Sequence, residues 1–126
     1  MNHEILLKRI YEPYEVEDGY RMLVDKLWPR GIKKDNAHLD EWAKEITPSA
    51  EIRRLYHQGE MPFEGFSQAY IEELESSMAA DAFVDKCSQL LKSHNVTLIY
   101  AAKNEQENHA MVLREWLRNR IRKGKL

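Results

Sequence analysis

Two short apolar runs open the chain, Ile5 to Tyr11 and Tyr20 to Leu27, and both are rich in residues that suit a pleated strand. Between them lies EPYEVEDG, in which Pro13 and Asp18-Gly19 are turn chemistry, so the pair is read as two separate strands. After WPRGIKKDNAH the period changes. Leu39, Trp42, Ala43 and Ile46 recur at i, i+3, i+4 and i+7, which predicts a helix with these four on one face. Thr47-Pro48 starts another, a capping residue followed by proline at the first helical position, with Ile52, Leu55 and Tyr56 as its buried side. Pro62 opens a third in the same way, and Phe63, Phe66, Tyr70 and Leu74 fall on one stripe down it. A fourth, about Ala80 to Lys92, buries Phe83, Val84, Cys87, Leu90 and Leu91.

The run NVTLIYAA is continuously apolar where the earlier strands are mixed, which suits a strand covered on both faces, as in a parallel sheet flanked by helices. It is the candidate central strand, Val96 to Ala102. The last helix, about Glu107 to Lys123, turns Ala110, Leu113, Trp116, Leu117 and Ile121 inward and its arginines outward. A helical crossover joins the strand Tyr20 to Leu27 with Val96 to Ala102, so the two should lie parallel with a right-handed connection. The expected fold is therefore α/β: a small three-layer domain with a mostly parallel central sheet flanked by helices. The direction of the first strand relative to the second is left open.

Length and composition change this picture little. A chain of 126 residues, 43% of them hydrophobic, suits one packed core, so residues 1–126 are expected to form a single α/β domain. No apolar stretch approaches the roughly 20 residues that span a bilayer, and the first residues carry Glu4, Lys8 and Arg9, unlike a secretory signal. A cytoplasmic location and no membrane partner are expected. The single cysteine, Cys87, excludes an intrachain disulfide and is assigned to the core with Trp42 and Trp116. Charge is unevenly spread. Seven acidic residues and no basic one lie between Arg54 and Lys86, while Met111 to Leu126 carries six basic residues against Glu115. These runs are either solvated faces or, in the basic case, a rim for phosphates or nucleic acid.

Candidate chemistry concentrates where the strands end. In open parallel sheets ligands sit beyond the carboxyl ends of the strands, and here DKLWPRG and AAKNEQENHA are the two polar turns that follow apolar strands. The second leads into a helix N-terminus, which favours an anion. Asp25, set among apolar residues, must be paired or hydrogen-bonded; it either positions Arg30 or His109 or acts as a base. Trp28-Pro29-Arg30-Gly31 is a stiff turn in which Arg30 is held to grip phosphate or carboxylate, or to make a structural pair. Lys103 suits an anion, or a nucleophile if desolvated, against the alternative of a solvated lysine. His109 is a candidate general acid or base, or a hydrogen bond to a neighbouring loop. Lys33 and Asn108 complete the pocket. His38, Asp40 and His94 lack the spacing of a zinc helix, and no dinucleotide, P-loop or nucleophile-elbow motif is present, so neither metal nor cofactor is expected.

MLVDKLWPRGIKK, HLDEWAKEITPS and VTLIYAAKNEQENHAMVL together resemble the YeaO-like branch of the family labelled domain of unknown function 488, over most of the chain. The resemblance implies a small α/β fold, usually bacterial and cytoplasmic, and carries no activity with it. Other branches have a Cys-rich strand end followed by Cys-His-Arg, whereas Tyr100 and Asn108-His109-Ala110 stand here, so any thiol chemistry of those branches is lost in this one. Two functions follow for test. One is an enzyme acting on a phosphate-bearing or nucleotide-like small molecule, with Arg30 and Lys103 holding the anion, His109 moving a proton and Asp25 orienting one of them. The other is a non-catalytic binder of a protein partner or, weakly and without sequence preference, of nucleic acid, using the basic last helix. Positive potential focused in the crevice favours the first, and spread along the helix the second.

Overall fold

Strand β4, Val96–Tyr100, is buried at all five positions because it has a strand on either side and packed layers above and below. The computed structural model describes residues 3–124. Along the chain come β1 (Ile5–Arg9), a 3-10 turn (Val16–Asp18), β2 (Tyr20–Leu23), α1 (Lys34–Ala37), β3 (Glu41–Trp42) and a second 3-10 turn (Lys44–Ile46). Then follow α2 (Ala50–His57), α3 (Phe63–Glu75), α4 (Met78–Leu90), β4 and α5 (His109–Gly124). The sheet order is β1-β4-β2-β3 and every pair is parallel, which settles the direction of the first strand. This is the three-layer α/β arrangement the hydrophobic pattern predicts.

The layers differ in texture. One face of the sheet, with Ile5, Met22, Val24, Val96, Leu98 and Tyr100, packs against α2 to α5 through Ile52, Phe66, Tyr70, Leu74, Phe83, Cys87, Leu113 and Trp116. The other face carries a smaller cluster of Ile10, Leu23, Ile99 and, from α1, Ala37, closed by Trp28, Ile32 and Leu39 from irregular segments and by Trp42 of β3. A buried charge network ties that irregular layer down. Arg21, 2% exposed, donates to Asp18 at 2.5 Å and to the carbonyls of His38 and Ala37, while Lys8 reaches Asp18 and the Pro13 carbonyl. Burial pushes the Asp18 carboxyl up, but hydrogen bonds from Lys8, the Glu15 amide and Arg21 outweigh it and hold the group below the ordinary carboxylate range.

The expected helix over Leu39 to Ile46 does not form. Leu39 and Trp42 join the smaller cluster while Ala43 and Ile46 join the larger one, so the four residues serve opposite faces of the sheet. The physical reason is the free edge of β2. Asp40 and Ala43 donate their amides to the carbonyls of Arg21 and Leu23, and the Asp40 carboxylate takes the Arg21 amide. Edge pairing of that kind overrides a weak helical period over eight residues. Elsewhere the boundaries move by a few residues. Ser49, not Thr47, caps α2, with its side chain accepting from the Ile52 amide, and β2 ends at Leu23, short of Leu27. The stripe Phe66, Tyr70 and Leu74 is buried as expected.

Candidate functional site

After β1 and β2 the chain crosses over the face carrying α1, whereas after β4 it enters α5 on the opposite face. Neighbouring strands whose connections part in this way leave a crevice at their carboxyl ends, the place where α/β sheets bind ligands. A cavity of about 600 Å³ lies there, between the segment after β2, the segment after β4 and one side of α2.

Asp25 forms its floor. The Val24 amide makes the last bond to β4, at the Ile99 carbonyl, and the strands then diverge around the Asp25 side chain. Its Oδ2 accepts from the Ala101 amide at 2.9 Å, and its buried Oδ1 stands 3.0 Å from Nε2 of His109. Nε2 also lies 2.9 Å from the Val24 carbonyl. Both neighbours are acceptors, so Nε2 carries a hydrogen. One hydrogen cannot point along both lines; directed at the carbonyl, it leaves Oδ1 with electrostatic contact only. One Asp25 oxygen is thus held by the Ala101 amide, and the His109 ring is oriented by the Val24 carbonyl with Oδ1 beside it.

The turn after β2 is pinned from three sides. Trp28 donates its indole N–H to the Ile32 carbonyl at 2.7 Å and meets Trp42 edge-on at 5.3 Å between centroids. Gly31 takes φ of 76°, a left-handed value that a side chain would strain. Tyr11 donates to the Arg30 carbonyl at 3.0 Å. The turn after β4 is pinned too, with Arg9 donating to the carbonyls of Ala101 and Ala102. Asn104 accepts from the Gln106 and Glu107 amides, and Asn108 accepts from the Met111 amide while donating to the Asn104 carbonyl. Much of the polar crowding of this turn is therefore capping.

Of the residues singled out in the sequence, the structure brings Asp25, Trp28, Arg30, Lys103, Asn108 and His109 to one cavity. Asn108 is 3% exposed and its amide is committed to the cap, so it shapes the wall without offering a free group. Lys33 lies outside the lining, as the exposed residue preceding α1. Sequence reasoning missed Tyr11, Arg53, Tyr56, His57 and Glu107. The signal for three of them was present: Arg53, Tyr56 and His57 lie at i, i+3 and i+4, one polar and aromatic side of α2. Tyr56 stacks on Phe66 at 4.8 Å and tilts against Phe63 and His57; burial and then the charge of Glu107 push its phenol up.

Charge on this wall is unbalanced. Lys26, Arg30, Arg53 and Lys103 face Asp25 and Glu107, and the ion pairs among the described residues include none of those four cations. Arg53 uses one N–H, its Nε, on the Pro48 carbonyl. Among the described residues, no Ser, Thr or Cys lines the cavity.

Comparison with known proteins places this geometry in context. A family model described as "Inactive DUF488-N3 subclade" matches residues 4–125. The uncharacterised protein YeaO of Escherichia coli is 46% identical over 115 residues, spanning 91% of this chain and 97% of its own length. Uncharacterised proteins of Mycobacterium tuberculosis and Mycobacterium bovis are each 35% identical over 116 residues, 92% of this chain and 95% of theirs. No solved structure matches the chain.

Proposed function

Because this chain belongs to the DUF488 family, within a subclade described as inactive, we propose that it binds a small phosphate-bearing ligand beyond the carboxyl ends of β2 and β4 without transforming it. The observation that carries this reading is the set of four cations facing one crevice with no carboxylate partner among the described residues. Cations gathered around one concavity sum their positive potential there and draw an anion. Arg30 and Arg53 supply planar forks for phosphate oxygens, Lys26 and Lys103 supply point charges, and His109, its Nε2 committed, offers Nδ1. Binding is favoured over turnover because, among the described residues, the lining has no hydroxyl or thiol nucleophile from Ser, Thr or Cys, and because the Asp25 Oδ1 is buried beside His109 while its Oδ2 holds the Ala101 amide.

The basic last helix supports the alternative less well. Arg120 is paired with Asp81 and lies over Trp116, and Arg118 contacts Glu115 and the Ile5 carbonyl, so part of its charge is spent within the fold. The test is stabilisation by phosphate. A ligand that binds only the native state adds about 2.7 kcal/mol at 100 times its dissociation constant, which raises the melting temperature measurably. Phosphate at ionic strength matched with chloride should stabilise the parent and do little for the folded double variant Arg30→Met with Lys103→Met. An equal gain in both proteins would remove the crevice reading and promote the helix.

A further inference from the structure

The crevice is more than a cluster of charges. Its lining also carries aromatic rings, and two of them, Tyr56 and Trp28, are fixed in place before any ligand arrives. Tyr56 is backed by Phe66 in near-parallel stacking, 25° between planes, with Phe63 and His57 at its sides. Trp28 is locked by its bond to the Ile32 carbonyl and by Trp42. Two of the large hydrophobic side chains that stand exposed on this protein, Tyr11 at 47% and Leu27 at 72%, border the same cavity. Exposed apolar area gathered around a concavity marks a surface that something apolar covers. A bare phosphate group would fill only a fraction of the cavity, whereas about 600 Å³ is a volume typical of whole small-molecule sites.

We infer that the ligand of this crevice is a nucleoside monophosphate, its flat base lying on Tyr56 and its phosphate among Arg30, Arg53 and Lys103. The inference rests on the anion-binding reading and adds the ligand's class to it. Stacking suits the geometry because a pinned ring loses little conformational freedom when a base settles on it. Every nucleobase has a π-face, so this contact selects nucleotides over inorganic phosphate without choosing among bases.

Calorimetric titration of the full-length protein with adenosine 5′-monophosphate, adenosine and inorganic phosphate tests it. The monophosphate should bind roughly 5- to 150-fold more tightly than phosphate, the gain expected of one stacked base. Tyr56→Leu should erase most of that ratio while phosphate binds as before, and Arg30→Met with Lys103→Met should weaken both ligands. The comparison of ligands on the unaltered protein stands even if a variant fails to fold. A monophosphate no tighter than phosphate, or a ratio untouched by Tyr56→Leu in folded protein, overturns the nucleotide assignment and leaves the anion site standing. If neither phosphate nor the monophosphate binds, both readings fall together.

Discussion

Asp25 and His109 form a pair whose hydrogen placement can be read directly. With the Val24 carbonyl at 2.9 Å and Asp25 Oδ1 at 3.0 Å, Nε2 has only acceptors for neighbours, so the neutral ring should be the Nε2–H tautomer. Imidazole nitrogen chemical shifts check this, and an Nδ1–H ring would contradict the geometry. Asp25→Asn turns an amide N–H toward Nε2–H or else surrenders the Ala101 bond; the expected loss is about 1–3 kcal/mol in chemical denaturation. Cys87 is fully buried beside Met22, so native-state labelling by a thiol reagent should be no faster than unfolding. At this scale the sequence marks which side chains matter better than what each does. Asn108 was a candidate ligand contact, yet an asparagine just before a helix is also a cap, and only the placed Met111 and Asn104 backbones decide between these uses.

At the scale of elements, the entry into β2 depends on Gly19. Its φ is 67°, and an added Cβ would fall well inside contact distance of the Asn95 backbone, whose carbonyl receives the Tyr20 amide. Gly19→Ala combines backbone strain of about 1–3 kcal/mol with overpacking of about 1–3 kcal/mol. The expected destabilisation is about 2–6 kcal/mol by denaturant titration; a loss below about 1 kcal/mol would mean the strand can shift to relieve it. The stretch 39–46 shows why local pattern fails at a sheet edge. Its apolar residues satisfy a helical period, but unpaired amides and carbonyls of β2 recruit the same backbone into a strand, and the side chains then divide between two clusters. The stripes of α3 to α5 are read correctly because each is longer and faces one core only.

For the whole molecule, the acidic middle and basic end of the sequence turn out to be neighbours. Glu75 accepts from the Trp116 indole and Asp81 pairs with Arg120, which holds α3 and α4 against α5. Burial, and next the charge of Glu41, push the Cys87 thiol up from 9.0 to about 12; burial likewise raises the Tyr70 phenol, which donates to the Ile46 carbonyl. A raised acid keeps its proton in the folded state at a pH where the unfolded chain has released it. The folded state then binds more protons, and stability falls as pH rises through the window from about 9 to about 12 for Cys87. The expected slope is up to about 1.4 kcal/mol per pH unit for each group. Cys87→Ala should flatten the curve above pH 9 by one group's share, and an unchanged slope would assign the alkaline loss elsewhere.

Hydrophobic period alone determined the α/β class, the buried central strand, the helices from Ala50 onward and the two polar turns that matter, because those signals are carried by neighbours along the chain. The family is legible in the sequence by a different route, the resemblance of three long stretches of residues, and the match over residues 4–125 shows it. Strand order, the pairing of β3 with β2, and the approach of Arg53, Tyr56 and His57 to the crevice belong to tertiary structure. Each depends on groups many residues apart meeting at a sheet edge or across a cavity. The Ala101 amide that occupies Asp25 lies 76 positions away, and no window on the sequence spans that distance.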